Sequence, residues 1–301
     1  MTTRMMRFAG VPRARSVLVC VAVYCVAGVC ALLAGGGFVG AGALLVVAAA
    51  DLAATLAVFA CSFFLDNSSV YDPYWSVAPM AIVAYLAWRS GSLTDPRRVA
   101  LLCLVAFWAL RLTWNWLLRW RGLGDEDWRY ADFRSSRAYW VVSLAGFHLF
   151  PTVAVYAGCL PMAAVMLLPA RPLGIFDGWA LLVTCASIVM EMKADKDLRV
   201  FRRKRRSAPE LLTEGIWSWC RHPNYLGEVM FWWGIGLFGI GAGASWWWSL
   251  CGATVITALF LFISIPLMDR HMLRRYPAYT ERMKAVPGFF PFRNLPKPRV
   301  G

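Results

Sequence analysis

The sequence predicts an all-α membrane protein built as a polytopic helical bundle. Of the 301 residues, 59% are hydrophobic and only 16% are charged, and the mean hydropathy is +0.54. A soluble domain has about a quarter of its residues charged. The charges also fall in blocks, and between them lie charge-poor stretches long enough to cross a bilayer, which takes roughly 20 apolar residues.

Eight apolar stretches are candidate membrane spans, and we expect six to eight of them to cross, with seven as the expected number. The stretch from Tyr139 to Leu168 is too long for one straight span at about 1.5 Å per residue, so Pro151 and Pro161 are expected to break it. The candidates are Ser16–Leu33, Val39–Leu65, Tyr74–Trp88, Val99–Leu118, Tyr139–Leu168, Ile175–Met192, Val229–Gly241 and Trp246–Pro266.

The net charge of +14 is explained by membrane topology, because Lys and Arg accumulate in cytoplasmic loops. One basic run extends from Lys193 to Arg206 and another from Arg270 to Arg299. Both are expected on the cytoplasmic side, in the endoplasmic reticulum membrane of a eukaryote or the inner membrane of a bacterium. No nucleic-acid-binding module accompanies the charge, so nucleic acid is not expected as a partner.

Disulfide and metal chemistry are not expected. The nine cysteines form no CxxC pair, and most lie inside apolar runs, where Cys behaves as a small hydrophobic residue. The three histidines are not clustered with the Cys or carboxylate residues that a zinc site requires.

The densest polar cluster is RHPNYLGE, from Arg221 to Glu228, which leads into an apolar stretch. Pro223 is expected to open a helix, since a proline in the first turn loses no hydrogen bond. The N–H groups of a helix start can bind an anion, and Arg221 can hold a phosphate bidentately. Interface anchoring would explain Arg221 and Tyr225, but Glu228 enters an apolar helix at a cost, which favours a functional role.

Four segments follow one another in a recognisable order. They are Asn67–Ser76 (NSSVYDPYWS), the Arg111–Arg119 helix with the loop Glu126–Tyr130 (EDWRY), Arg221–Glu228, and Arg275–Tyr279 (RYPAY) with Pro287–Pro291 (PGFFP). In this order they resemble the steroid 5-alpha-reductase family, including its relatives of undetermined substrate. We therefore expect N-terminal transmembrane helices over residues 1–66 and a reductase-like membrane domain over 67–301.

The resemblance implies an NADPH-dependent reductase of a carbon–carbon double bond conjugated to a ketone. It also implies a seven-helix bundle with a cytosol-facing cofactor cavity. The substrate is expected to be lipid or steroid-like and to enter from the membrane. Hydride delivery to the β-carbon leaves negative charge on the carbonyl oxygen, which a hydrogen-bond donor must meet.

The resemblance also implies the cofactor-binding residues, because the phosphates of a dinucleotide need Arg side chains and backbone N–H groups. Asn224 and Glu228 match contacts on the nicotinamide side, whereas Arg203–Arg206 are expected to bind anionic lipid head groups. The residues expected to bind NADPH are Asn115, Arg119, Asp127, Arg129, Tyr130, Asp195, Arg199, Arg202, Arg221, His222, Asn224, Tyr225, Glu228, Asp269, His271 and Tyr276.

Asp72, Tyr74 and Arg111 are the candidate catalytic residues. The family uses a carboxylic acid and a Tyr on the next helix, and Asp72 lies near the place of the acid. Once buried, Asp72 would keep its proton and donate it as a hydrogen bond; alternatively, it caps a helix that starts at Pro73. The position of the family Tyr has no counterpart, so Tyr71 or Tyr74 would substitute and Arg111 would polarise the carbonyl.

Two other functions stay open. Membrane methyltransferases that use S-adenosylmethionine have a similar Arg-His-Pro-x-Tyr…Glu element before a final hairpin. The charges at Asp195, Arg199 and Arg202 favour a dinucleotide, because S-adenosylmethionine carries no phosphate. The third function is non-enzymatic lipid binding or transport, which the placement of polar clusters at helix ends disfavours.

Overall fold

The computed structural model describes residues 10–38, 40–204 and 210–290, and all regular structure within these ranges is helical. Residue 39, residues 205 and 206 of the basic run, and the tail from 291 lie outside them. The helices are α1 (Arg13–Gly36), α2 (Ala43–Leu65), α3 (Tyr74–Ser90), α4 (Pro96–Arg119), α5 (Trp128–Ala131), α6 (Tyr139–Val142), α7 (Phe150–Leu167), α8 (Ile175–Lys204), α9 (Pro223–Gly241), α10 (Trp246–Leu259), α11 (Ile265–Arg275) and α12 (Tyr279–Ala285).

Six helices in the described part of the chain are long and apolar enough to cross a membrane. The prediction of a polytopic helical membrane protein is therefore confirmed, with six such helices where seven spans were expected. Helices α3 and α9, with 17 and 19 residues, lie outside this set. The six are α1, α2, α4, the continuous helix Tyr139–Leu167, α8 and the continuous helix Trp246–Arg275.

The prediction that Pro151 and Pro161 break the fifth stretch is wrong. A π-helical segment, Ser143–Leu149, joins α6 to α7 immediately before Pro151, and Pro161 lies inside α7. Hydrogen bonds in a π segment reach back five residues, so this wider turn can accommodate a ring that lacks an N–H and would clash with an α-helical carbonyl. The same arrangement recurs where a π segment, Phe260–Ser264, precedes Pro266.

The chain divides into two compact units, Met1–Ala170 and Arg171–Gly301. In the first unit, α1 packs along α2, and α3 packs against α4 and α7. In the second unit, α9 packs against both α8 and α10. The boundary expected after residue 66 marks where recognisable motifs begin, whereas this division marks where the fold is compact.

Helices α8 and α9 approach each other closely through glycines. Gly227, Gly234 and Gly241 recur every seven residues on α9. The facing residues on α8 are Glu191, Thr184 and Asp177, in that order. A Cβ atom at Gly234 would lie 3.0 Å from the backbone nitrogen of Thr184. The falling numbers on α8 show that the two helices are antiparallel.

Candidate functional site

In the first unit, the loop after α4 is bound to the segment that follows α2. Three successive residues, Asn67–Ser69, make the contacts. The N–H of Ser68 donates to Glu126 Oε1 at 2.7 Å, and the N–H of Asp127 donates to Ser69 Oγ at 2.8 Å. Two motifs that lie about 50 residues apart in the sequence are therefore parts of one local structure.

Asp72 projects from this segment toward the loop. Its Oδ1 accepts a hydrogen bond from the Tyr130 hydroxyl at 2.5 Å and lies 3.5 Å from Arg129 Nη2. Helix α3 begins at Tyr74 with Pro73 at its N-cap position, so the helix does not start at Pro73 with Asp72 as its N-cap. Burial raises the pKa of Asp72 to about 6, although the Arg129 guanidinium opposes the shift. The side chain is still 16% exposed.

Asp127 is the main partner of Arg129, which explains why the Arg129 charge does not cancel the raised pKa of Asp72. Its Oδ1 lies 2.8 Å from Arg129 Nε and also accepts from the N–H of Arg129 at the start of α5. Burial would raise the pKa of Asp127, but the Arg129 charge outweighs it and lowers the pKa. Two carboxyl groups beside one guanidinium thus have pKa values shifted in opposite directions, a pattern typical of acid–base sites.

Tyr74 bonds to a carboxyl group other than that of Asp72. Its hydroxyl donates to Asp51 Oδ1 at 2.6 Å, and Asp51 is only 6% exposed within α2. Among the described residues, no group hydrogen-bonds to Asp51 Oδ2. Asp51 was not among the predicted site residues, although it is the one charged residue of its apolar stretch, which is a reason to suspect function.

Three further predicted residues lie on α4. Asn115 is buried, whereas Arg111 is half-buried and Arg119 is exposed. The Arg119 Nε donates to the backbone carbonyl of Asn115 at 3.3 Å. The structure brings Asp72, Asp127, Arg129 and Tyr130 together, and the partnership of Asp72 with Tyr130 is one that the sequence analysis did not anticipate.

In the second unit, Asp269 on α11 collects three donors. It accepts from Arg221 Nη2 at 2.6 Å, from His222 Nε2 at 2.9 Å and from the Tyr279 hydroxyl at 2.5 Å. Two of these donors belong to the RHPNYLGE cluster and one to the RYPAY motif. The carboxylate therefore joins the start of α9 to the C-terminal segment.

Arg221 is also bound to backbone atoms of that segment. Its Nη1 donates to the carbonyl of Val286 at 2.7 Å, and its own N–H donates to the carbonyl of Pro287 at 2.9 Å. This guanidinium thus holds protein groups together. Helix α9 starts at Pro223, directly after His222, as the sequence analysis predicted.

The His222 ring is fixed on two sides. It stacks on Tyr225, with ring centroids 5.3 Å apart and planes within 13°. Burial lowers the pKa of His222, and this effect outweighs the opposing hydrogen bond to Asp269. His222 is therefore held as a neutral ring near neutral pH.

The remaining predicted cofactor residues lie on α8, α9 and the C-terminal helices. The carboxylates of Asp195 and Glu228 are buried, and Glu228 Oε1 accepts from Trp232 Nε1 at 3.0 Å. Asn224 and Arg199 are half-buried, and Arg202 is exposed. His271 is half-buried and Tyr276 is buried. Within the described ranges, no three His, Cys, Asp or Glu side chains lie close enough together to hold a metal ion.

These features define a polytopic helical membrane protein whose polar side chains cluster at helix ends. Within this class, the chain belongs to the DUF1295 family, described as a protein of unknown function, whose family model matches residues 58–286. The chain is also similar to an uncharacterized protein of Schizosaccharomyces pombe, with 27% identity over 256 residues that cover 76% of this chain and 74% of the relative. No solved structure matches it.

Proposed function

We propose that this protein is a membrane-embedded, NADPH-dependent reductase of a carbon–carbon double bond conjugated to a ketone in a lipid or steroid-like substrate. Two arguments support the proposal. The ordered motifs resemble the steroid 5-alpha-reductase family, and Asp72 has the properties that the reaction requires of a proton donor. The environment of Asp72 is the observation that carries the proposal.

Bound NADPH would supply a hydride to the β-carbon of the enone. The charge that develops on the carbonyl oxygen then needs a donor already in place. A carboxyl group with a pKa of about 6 retains its proton far better than an ordinary aspartate does. The hydrogen bond from Tyr130 and the 16% exposure hold Asp72 in one orientation while leaving it accessible to a ligand oxygen.

The second unit offers donors that suit a dinucleotide. Arg199 and Arg202, on the last turns of α8, would bind the phosphates. The amide of Asn224 and the carboxylate of Glu228, four residues apart on α9, would bind the nicotinamide carboxamide. Arg221 is already engaged by Asp269 and Val286, so its contribution to binding would be to hold the start of α9.

Cofactor binding is tested by titrating NADPH and S-adenosylmethionine separately into the protein in detergent. We expect NADPH to bind. Arg202→Gln should weaken binding at least about tenfold, the loss of one charge-assisted hydrogen bond, and Asn224→Ala should weaken it about threefold to tenfold, the loss of a neutral one. Arg203→Gln, which removes the same charge one residue further along α8, is the matched control. Binding of S-adenosylmethionine alone would exclude a reductase.

Catalysis is tested by following NADPH oxidation with a panel of enone lipids. Asp72→Asn is expected to lower turnover about 10²–10⁴-fold, the usual contribution of a positioned acid. Asp125→Asn, an exposed aspartate of the same loop, should react like the natural protein. Unchanged turnover in Asp72→Asn would remove the observation on which the proposal rests.

A further inference from the structure

Two basic helix ends lie at the same end of the second unit. Gly227, near the start of α9, packs against Glu191 on α8. Arg221, which precedes α9, is bonded to Asp269 on α11. The C-terminal turns of α8 and α11 therefore flank the start of α9.

The side chains exposed on these turns are mostly cationic. The nearby carboxylates Asp195 and Asp269 are buried, and Asp197 is paired with Lys193 at 3.3 Å. The loop between α8 and α9 adds two exposed anions, Glu210 and Glu214. The exposed cations on the same turns, apart from Arg202, which the proposed function assigns to the cofactor, are Lys193, Lys196, Arg203, Lys204, Arg270, Arg274 and Arg275. We call this surface the basic end of the second unit.

The length of α8 places its cations at the depth of the lipid head groups. Thirty residues extend about 45 Å at 1.5 Å per residue, whereas the hydrocarbon core is about 30 Å thick. The apolar part of α8 ends at Met192, and exposed apolar side chains such as Val189 continue almost to that point. The cationic turns begin at Lys193, where the chain leaves the core.

We propose that the basic end binds the phosphate head groups of anionic phospholipids in the adjacent leaflet. Lys and Arg close to an anionic membrane surface are attracted to it by about 1 kcal/mol each, or about fivefold in affinity. The cations lie on two separate helices, which suits several head groups side by side. This inference does not depend on the reductase activity.

The test measures thermal unfolding of the full chain in neutral detergent with added phosphatidylglycerol, phosphatidylcholine or inorganic phosphate. Phosphatidylglycerol should raise the unfolding temperature, and high salt should abolish the rise. In the triple variant Lys196→Gln, Arg203→Gln and Lys204→Gln, the apparent affinity for phosphatidylglycerol should fall at least about tenfold. The charge-conserving variant Lys196→Arg, Arg203→Lys and Lys204→Arg should bind it normally.

Each other outcome would overturn the proposal. Equal stabilisation by phosphatidylcholine would indicate a response to acyl chains. Equal stabilisation by inorganic phosphate would indicate a free-anion site, and tight salt-sensitive binding of an oligonucleotide in place of the lipid would indicate a nucleic-acid partner. Undiminished phosphatidylglycerol binding in the triple glutamine variant would show that these cations do not bind the lipid. The three substituted side chains are exposed, so the substitutions should leave the fold intact. The unfolding temperature measured with phosphatidylcholine checks that each variant folds.

Discussion

Asp72 and Asp127 lie beside the same guanidinium, and yet their pKa values are shifted in opposite directions. Arg129 is 2.8 Å from Asp127 but 3.5 Å from Asp72. The positive charge therefore lowers the pKa of Asp127 most strongly. For Asp72, burial outweighs the charge and raises the pKa. The distance that decides between the two is a property of the folded loop.

The first prediction concerns the pH dependence of stability. An aspartate in an unfolded chain titrates near pH 4, whereas Asp72 in the folded protein titrates near 6. Between these values the folded state binds more protons, so the free energy of unfolding should fall as pH rises from about 4 to about 6. The free energy of unfolding falls by at most about 3 kcal/mol, and the fall is complete above about pH 6.

Asp72→Asn should remove this part of the pH dependence. The measurement is thermal unfolding in detergent at several values from about pH 4 to 7, compared with Asp125→Asn as a control. If the two variants show the same slope, Asp72 is not the titrating group.

The second prediction concerns the pair formed by Tyr74 and Asp51. Tyr74→Phe removes the donor to a buried carboxyl and should lower the free energy of unfolding by about 1–3 kcal/mol. In an Asp51→Leu background the same change should cost clearly less, because the carboxyl is already gone. Tyr85→Phe, on the same helix and half-buried, should stay within about 0.5 kcal/mol. Equal costs in both backgrounds would show that the pair is not coupled.

The role of a single residue could be predicted where it depends only on neighbouring residues in the sequence. Pro223 opens α9 because a proline ring suits a first helical turn whatever surrounds it. The partner of Asp72 was not predictable, because Tyr130 is 58 residues away and nothing in its own neighbourhood indicates Asp72. The placing of Arg221 against Asp269 is a long-range contact of the same kind.

At the scale of helices, the hydrophobic stretches predicted the elements well because a bilayer sets their length. The prolines did not break the helices as predicted: Pro161 lies inside α7 without a π segment before it, whereas Pro151 and Pro266 each follow one. In both places the π segment ends two residues before the proline, at Leu149 before Pro151 and at Ser264 before Pro266. No residue pattern in the sequence analysis distinguished this arrangement from a helix break.

The third prediction concerns the glycines between α8 and α9. Gly234→Ala should lower the free energy of unfolding by about 1–3 kcal/mol, because the new methyl group would meet the backbone of Thr184. Gly178→Ala, on α8 with nothing within 4 Å of a Cβ atom, should stabilise the protein by up to about 1 kcal/mol. Thermal unfolding of both variants checks this, and a neutral Gly234→Ala would show that the helices can separate without cost.

For the whole molecule, composition predicted the class of protein because the class follows from averages over many residues, whereas the orientation indicated by the charge blocks stays a prediction. The net charge of +14 and the blocks of Lys and Arg indicated topology without any knowledge of contacts. The residues that would perform chemistry were identified mainly through resemblance, since their positions depend on how distant segments pack.

The fourth prediction is that both basic runs of the second unit lie on one side of the membrane. Cysteines introduced at Lys204 and Arg275 should react with a membrane-impermeant maleimide from the same side. A cysteine at Ala244, between α9 and α10, should react from the opposite side. The exposed natural cysteines Cys25, Cys103 and Cys185 would first be replaced by alanine. Labelling of Lys204 and Arg275 from opposite sides would contradict the antiparallel arrangement.

The bonds of Arg221 to the far end of the chain have a consequence during protein synthesis. Residues leave the ribosome in order, so the start of α9 emerges well before the carbonyls of Val286 and Pro287 that its arginine requires. Until then Asp269, which emerges earlier, can pair with the guanidinium, but the donors that bind these carbonyls must find water instead. The second unit therefore cannot acquire its final form stepwise with translation, and a chain stopped short of residue 287 would lack the bonds that hold the start of α9.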